Sequence, residues 1–259
     1  MPILRDLAPV FYPQTDYSIV KYLDLTKFLS LLHRRSLFFC RLDKLEDQYE
    51  RTTAIPNFDS RVKRFHAIRD SGYFNDQMTD EGIIEQVKSQ LEIEEKLKSI
   101  NCVCCWNKKD NESAALWKIY SDFSKGIMIK SSISRLEKSL KVTKEEIRLS
   151  EIRYLNYRSD RMPDGNTMYP LIHKQIAYAY EDEVRIIYET KHDRWVHDWT
   201  KEYVQEGIYI AIDLNELIEE IIVGPYSPNW FHELVKDVSI KFGLDKPINK
   251  SVLSLSMGF

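Results

Sequence analysis

The 259-residue sequence contains no run of 18 apolar residues, so no membrane-spanning helix is expected. Its start, MPILRDLAPVFYPQ, lacks a charged head leading into an apolar stretch and does not read as a secretory signal. Cysteine is scarce: there are four, three of them crowded together as Cys102, Cys104 and Cys105, with Cys40 the only other. Successive positions of a strand face opposite ways, so this grouping argues against a disulfide framework and for a reducing cytoplasm. Zinc ligands are not expected either. No paired C-x-x-C or C-x-x-C with H-x3-H occurs, and His192 and His197 are five apart, a poor fit to one helix face. Net charge is small, at a formal -3, which excludes a surface that is one large nucleic-acid footprint but leaves room for a local basic cleft.

Several catalytic signatures are missing as well. No G-x-G-x-x-G or Walker loop follows a strand, which disfavours Rossmann-type dinucleotide binding and phosphate-loop hydrolysis. No G-x-S-x-G elbow is present, removing the simplest hydrolase reading.

What is present suffices for a substantial core, with 43% hydrophobic and 12% aromatic residues. The patterning predicts strands at Ser18–Leu23, Ser36–Leu42, Asn101–Trp106, Gly126–Lys130, Gly207–Ile212 and Glu220–Gly224, an extended stretch at Ile147–Tyr157, and a closing segment Ile248–Leu253. Helices are predicted from Asp24 or Thr26 to His33, from Thr79 or Asp80 to Ser99, at Asn111–Tyr120 and Ile133–Leu140, and from Ser227, with Pro228 at the first helical position, to Lys241. Residues 52–79 are polar and read as an irregular surface segment, so that 52–99 as a whole is an insertion in a single domain spanning 1–259. Strands separated by helices of varied length, without steady βαβ alternation, predict an α+β fold with a mixed, mainly antiparallel sheet and flanking helices.

The most informative segment is Tyr178–Tyr188, YAYEDEVRIIY. Read as one strand, it places Glu181, Glu183 and Arg185 on one face and Val184, Ile186 and Tyr188 on the other. Either the charged face is wet and its charges pair, or a carboxylate is held beside a cleft for chemistry. Elsewhere the bland alternatives are strand positions for Lys21 and Tyr22, packing anchors for Trp106, Trp117 and Tyr120, and a solubilising turn for Asp47 and Glu50. A metal-carboxylate nuclease would want a spaced Asp and then E-x-K. The D-E-V-R at 182–185 imitates this loosely, with Arg in place of Lys.

These segments together resemble the bacterial domain-of-unknown-function family 2971 nearly end to end. The resemblance is carried by KYLDLTKFLSLL at 21–32, LFFCRLDKLEDQYE at 37–50, CCWN at 104–107 and ESAALWKIYSDFSKGIMIKSS at 112–132. It continues in the K-x3-Y-x2-E-x-E-x-R spacing of Lys174, Tyr178, Glu181, Glu183 and Arg185, in IEEIIVGPYSPNWF at 218–231 and in INKSVL at 248–253. The sequence departs from the family at Tyr178, where an indole is commoner, and at Cys105-Trp106, where Phe-Ser is commoner. In the order of its elements the chain is also similar to toxin-like ADP-ribosyltransferases that act on nucleic acid.

This second resemblance implies an ADP-ribosyltransferase-like fold and NAD as co-substrate, with no metal. It implies Glu183 as the catalytic carboxylate and Glu181 as the residue orienting the acceptor. Ring contacts would come from Tyr22, Trp117 and Tyr120, and anion contacts from Lys21, Arg41 and Arg185. Breaking the nicotinamide–ribose bond leaves an electron-poor sugar that a fixed carboxylate steadies, as in glycoside cleavage. The implied partners are a nucleic-acid or protein acceptor and a neutralising protein, with the chain a cytoplasmic toxin or antiphage effector. A non-catalytic nucleic-acid-binding module or a metal-dependent nuclease of a bacterial defence system is the alternative.

Overall fold

A computed structural model describes residues 3–4, 10–45, 52–72, 78–121, 124–190 and 204–254. Its strands are β1 Ser18–Leu23, β2 Ser36–Arg41, β3 Asn101–Lys108, β4 Ile127–Ser132, β5 Ile147–Glu151, β6 Arg153–Leu155, β7 His173–Gln175, β8 Glu183–Glu189, β9 Gly207–Ala211, β10 Glu220–Val223 and β11 Ile248–Lys250. The helices are α1 Leu25–Arg34, α2 Ile55–Asp70, α3 Asp80–Lys96, α4 Ala114–Tyr120, α5 Ile133–Ser139, α6 Leu214–Leu217 and α7 Asn229–Lys241. The fold is α+β, with a mainly antiparallel sheet and flanking helices. The sheet runs β11-β10-β4-β1-β3-β2-β9, with β8 on the far edge of β3 and β5 beyond it; among its described strands only β10–β11 pair in parallel. A second, two-stranded parallel sheet joins β6 to β7.

The sheet forks at β3. Along one edge β3 pairs with β8 over its whole length, from Asn101 opposite Glu189 to Asn107 opposite Glu183. Along the other edge it meets β1 only at Val20–Asn107 and Ile19–Lys108, and β2 only at Cys40–Val103 and Arg41–Cys102. Neither β1 nor β2 pairs with Cys104–Trp106, so a backbone carbonyl there needs another donor. Lys21 supplies it, its Nζ lying 2.7 Å from the Cys105 carbonyl oxygen.

One face of the sheet holds the main core. Cys102, Cys104 and Trp106 of β3 and Val184, Ile186 and Tyr188 of β8 pack there with Phe28, Leu31 and Leu32 of α1, Leu136 of α5, and Phe231 and Val235 of α7. The opposite face of the same two strands carries a smaller core, in which Val103 and Ile187 meet Leu42, Met168, Leu171 and Ile172. Strand β8 is therefore covered on both sides. Among the described residues, no helix is long and apolar enough to cross a membrane.

The structure departs from the sequence reading at two places. Residues 52–79 are not irregular throughout: α2 occupies Ile55–Asp70 and packs on α3. Its apolar positions 55, 58, 62, 65 and 68 do keep a helical spacing, diluted by the polar residues between them. Arg61, 5% exposed, ties the pair down through Glu94 (2.8 Å) and Asp164 (2.9 Å), and the Asn57 amide bonds both the N–H and the carbonyl of Met162. The second departure is Tyr178–Tyr188, which is not one strand. Ile176–Glu181 forms a 3-10 turn, Asp182 follows in the left-handed region at φ 48°, and β8 begins at Glu183. Aspartate is among the few non-glycine residues that visit this region readily, and it closes the turn. A smaller difference is that Pro228 precedes α7 as its cap instead of opening it.

Candidate active site

Because Glu181 sits on the turn and Glu183 on the strand, the two reach one place by different routes. The register of β8 against β3 puts Glu183 and Arg185 on the smaller-core face, beside Asn107 and Cys105. The parallel pair β6–β7 sets Tyr154 opposite Lys174 and presents both to that same end of β8. Helix α4 brings Tyr120 from its last turn.

The resulting network is closed. Glu183 Oε1 accepts from Arg185 Nε at 2.7 Å, and its Oε2 from Arg185 Nη2 at 3.2 Å and from Lys174 Nζ at 3.3 Å. Lys174 Nζ also donates to Glu181 Oε2 at 2.8 Å, and the Tyr120 hydroxyl donates to Glu181 Oε1 at 2.5 Å. Arg185 Nη1 donates to the Leu171 carbonyl at 3.0 Å, Asn107 Nδ2 to the Glu181 carbonyl at 3.0 Å, and the Glu183 N–H to the Tyr154 hydroxyl oxygen at 2.8 Å. Glu181, Glu183 and Arg185 are 2%, 3% and 0% exposed, so this is no wetted outer face. Two carboxylates and two cations balance, which is what makes such burial tolerable.

Within that balance the two acids differ. Burial pushes the Glu183 carboxyl up, but Arg185 and Lys174 outweigh it and hold the group well below the ordinary range. Burial also pushes Glu181 up; Lys174 draws it back, yet the Glu183 charge adds to the rise, and its proton affinity ends above normal. Desolvation and the bond to Glu181 move the Tyr120 hydroxyl far above an ordinary tyrosine. The Cys105 thiol is likewise pushed well above its usual value, by desolvation first and by Glu183 second.

Rings surround Glu181. Tyr120 is 39% exposed and Tyr180 45%, while Tyr178 packs 6.4 Å from Tyr180 and lies under the Lys174 ammonium at 4.6 Å. The other residues singled out by sequence stand apart from this contact set. Tyr22, with its hydroxyl pushed up to about 12 by burial, accepts from the Ser113 N–H and packs edge-on against Trp117 at 5.0 Å. Trp117 is fully buried and donates to Glu112 at 2.8 Å. Lys21 serves the Cys105 carbonyl. Arg41 is bound to Asp43 and to the Val204 carbonyl, near the opposite end of β3. Asp47, Glu50, His192 and His197 lie outside the described residues. Among the described residues, no three His, Cys, Asp or Glu side chains converge as metal ligands.

Sequence reasoning assigned no role to Lys174, the cation shared by both acids. Its signal was the K-x6-E-x-E spacing. Tyr154 carried no such signal, because only the β6–β7 pairing brings it in.

No family model matches the chain, and no curated protein matches it. Comparison with solved structures finds Thermus sp. 2.9 DarT in complex with NAD+, at a TM-score of 0.38 and 11% identity, covering 93% of this chain and 98% of that one. The same protein in complex with ADP-ribosylated ssDNA gives 0.37 and 12%, covering 94% and 97%.

Proposed function

We propose that the chain is an NAD-consuming ADP-ribosyltransferase with a nucleic-acid acceptor, acting in the cytoplasm as a toxin or antiphage effector that a partner protein neutralises. The observation that carries this reading is the pair Glu181 and Glu183, buried side by side on a shared lysine with their proton affinities displaced in opposite directions. Such divergence marks an acid–base division of labour. Glu183, bridged to Arg185 and Lys174, is the fixed member that holds the cluster in place. Glu181, with raised affinity and a tyrosine hydroxyl on its other oxygen, is the member that exchanges a proton.

The chemistry follows from those roles. The ribose C1′–nitrogen bond breaks and nicotinamide leaves with the electron pair. An acceptor nucleophile bonds to C1′, and its proton passes to Glu181. Tyr120 and Tyr180, the exposed rings nearest that acid, would flank the nicotinamide ribose. Tyr22 and Trp117 would support α4 from below. Arg185 is spent on Glu183, which makes it a holder of the carboxylate instead of a contact to the pyrophosphate. A metal-dependent nuclease would need a third acidic ligand where Lys174 and Arg185 stand, and no observation favours it.

The test is incubation of the protein with NAD and a single-stranded oligonucleotide, following free nicotinamide by chromatography and the oligonucleotide by mass. Nicotinamide release with a mass gain of one ADP-ribosyl group, both lost in Glu181→Gln, supports the reading. Neither product from the unaltered protein defeats it.

A further inference from the structure

Two distant sequence segments, ESAALW at 112–117 and INKSVL at 248–253, have no part in the carboxylate network, yet they meet. The Glu112 carboxylate accepts from the Ser251 hydroxyl at 2.5 Å and from the Val252 N–H at 2.8 Å, while the indole of Trp117 donates to it at 2.8 Å. Ser251 is 2% exposed, and its own N–H is fixed to the Val223 carbonyl of β10. A carboxylate holding three donors is a strong, directional tie.

We infer that Glu112, clamped by Ser251 and Val252, is a positioning residue that sets Tyr120 against Glu181 through helix α4. The inference rests on the reading of Glu181 as the proton-exchanging acid only for its effect on rate. Helix α4 is seven residues long, too short to be stable by itself, so its placement depends on its anchors. Those anchors are the Ser113 cap, whose N–H is held by the Tyr22 hydroxyl, and the buried Trp117 indole, which Glu112 orients. Tyr120 follows Trp117 by three positions, one helical turn further on, and its hydroxyl ends on Glu181. Displacing the indole therefore swings the phenol. The chain of contact runs from Ser251 and Val252 to Glu112, Trp117, Tyr120 and Glu181.

The consequence is read in the acid itself. Glu181 is faced by Tyr120 from α4, Lys174 from β7, Glu183 from β8 and Tyr180 from its own turn, with the Tyr154 hydroxyl beyond Glu183. Of these only Tyr120 is reached by the clamp. Its hydrogen bond favours ionised Glu181, so loosening it raises the proton affinity of that group.

The experiment titrates the full chain, carboxyl-labelled at glutamate, by carbon NMR without NAD. The Glu181 signal is assigned by its loss in Glu181→Gln. Ser251→Ala combined with Val252→Pro deletes both donors without touching α4, and Ser251→Ala alone serves where the double variant does not fold. The expected result is a Glu181 midpoint moved to higher pH by about threefold to tenfold in proton affinity, the worth of one hydrogen bond. Tyr120→Phe should give a shift of the same sign, and adding Ser251→Ala to it should give no further shift. A folded variant with the midpoint unmoved, or shifts that add in the combined variant, overturns the clamp. Nicotinamide release measured alongside separates the two ideas. An unaltered protein inactive on NAD ends the transferase reading, while the titration still decides the clamp.

Discussion

The Lys174 ammonium lies 2.8 Å from Glu181 and 3.3 Å from Glu183, so a single cation bridges two carboxylates. Glu183 has a second cationic partner in Arg185, whereas among the described residues the second side chain bonded to the Glu181 carboxylate is a phenol. This asymmetry sends the two proton affinities in opposite directions, and most of what can be tested at the site follows from it.

Glu183→Gln should be strongly destabilising, because it leaves the fully buried Arg185 without its anion. A loss of about 3–5 kcal/mol is expected from breaking one side of a buried ion pair. Urea unfolding of the variant against the parent measures it.

Glu181→Gln should cost far less. Its amide oxygen still accepts from Lys174 or Tyr120, and the parent carboxylate is already disfavoured as an ion by burial. A change within about 1 kcal/mol is expected in the same unfolding assay, together with loss of nicotinamide release. Equal destabilisation by the two substitutions would refute the division of roles.

The pH dependence of stability carries both signs. Glu183 has a depressed folded-state affinity, so its contribution is present above the ordinary carboxylate range, roughly pH 4.3, and is lost as pH falls below it. Glu181 has a raised affinity, so its contribution is full below that range and is lost as pH rises through the folded value. In Glu183→Gln the acid-side loss should shrink, and in Glu181→Gln the loss on raising pH should shrink. Thermal melts of both variants between pH 3 and 8, a range chosen to span about one to four units either side of the carboxylates, resolve the two slopes.

Asp182 offers a backbone test. At φ 48° a glycine is at ease and a β-branched residue is not. Asp182→Gly should be nearly neutral, while Asp182→Val should cost about 1–2 kcal/mol and disturb the approach of Glu181 to Lys174. Melting temperature and the Glu181 titration report the two effects.

Arg61 governs a separate region. Replaced by alanine, it removes the ion pairs to Glu94 and Asp164 and should loosen α2 against the 156–166 segment, raising amide exchange along Ile55–Asp70 by about thirtyfold for about 2 kcal/mol of lost anchoring. Exchange in β3 and β8 should stay unchanged.

Much of this architecture was legible in the residues. The Ser18–Leu23 strand was read with the bounds it has, and Asp24 caps α1 by accepting from the Lys27 N–H. Alternation along 183–188 sent Val184, Ile186 and Tyr188 to the main core as expected. What could not be read was non-local. The smaller core on the charged face, where Leu42, Met168, Leu171 and Ile172 meet Val103 and Ile187, draws on other parts of the chain. The turn at 176–181 was hidden because Y-A-Y-E-D-E alternates as well as a strand does, and only the left-handed Asp182 separates the two. Tyr154 and the Glu112 clamp arise from pairings of distant segments, which leave no periodic trace.

The fork at β3 has one more effect. A strand with bare peptide groups is usually a hazard at the rim of a sheet, where a foreign chain can zip on. Here the bare stretch, Cys104–Trp106, is enclosed between β1 and β2, and the carbonyl at its middle is corked by the Lys21 ammonium. The notch is thus sealed by a side chain and not by a neighbouring strand. At this seam the two arms of the sheet are joined by one ammonium-to-carbonyl bond where a ladder would otherwise run.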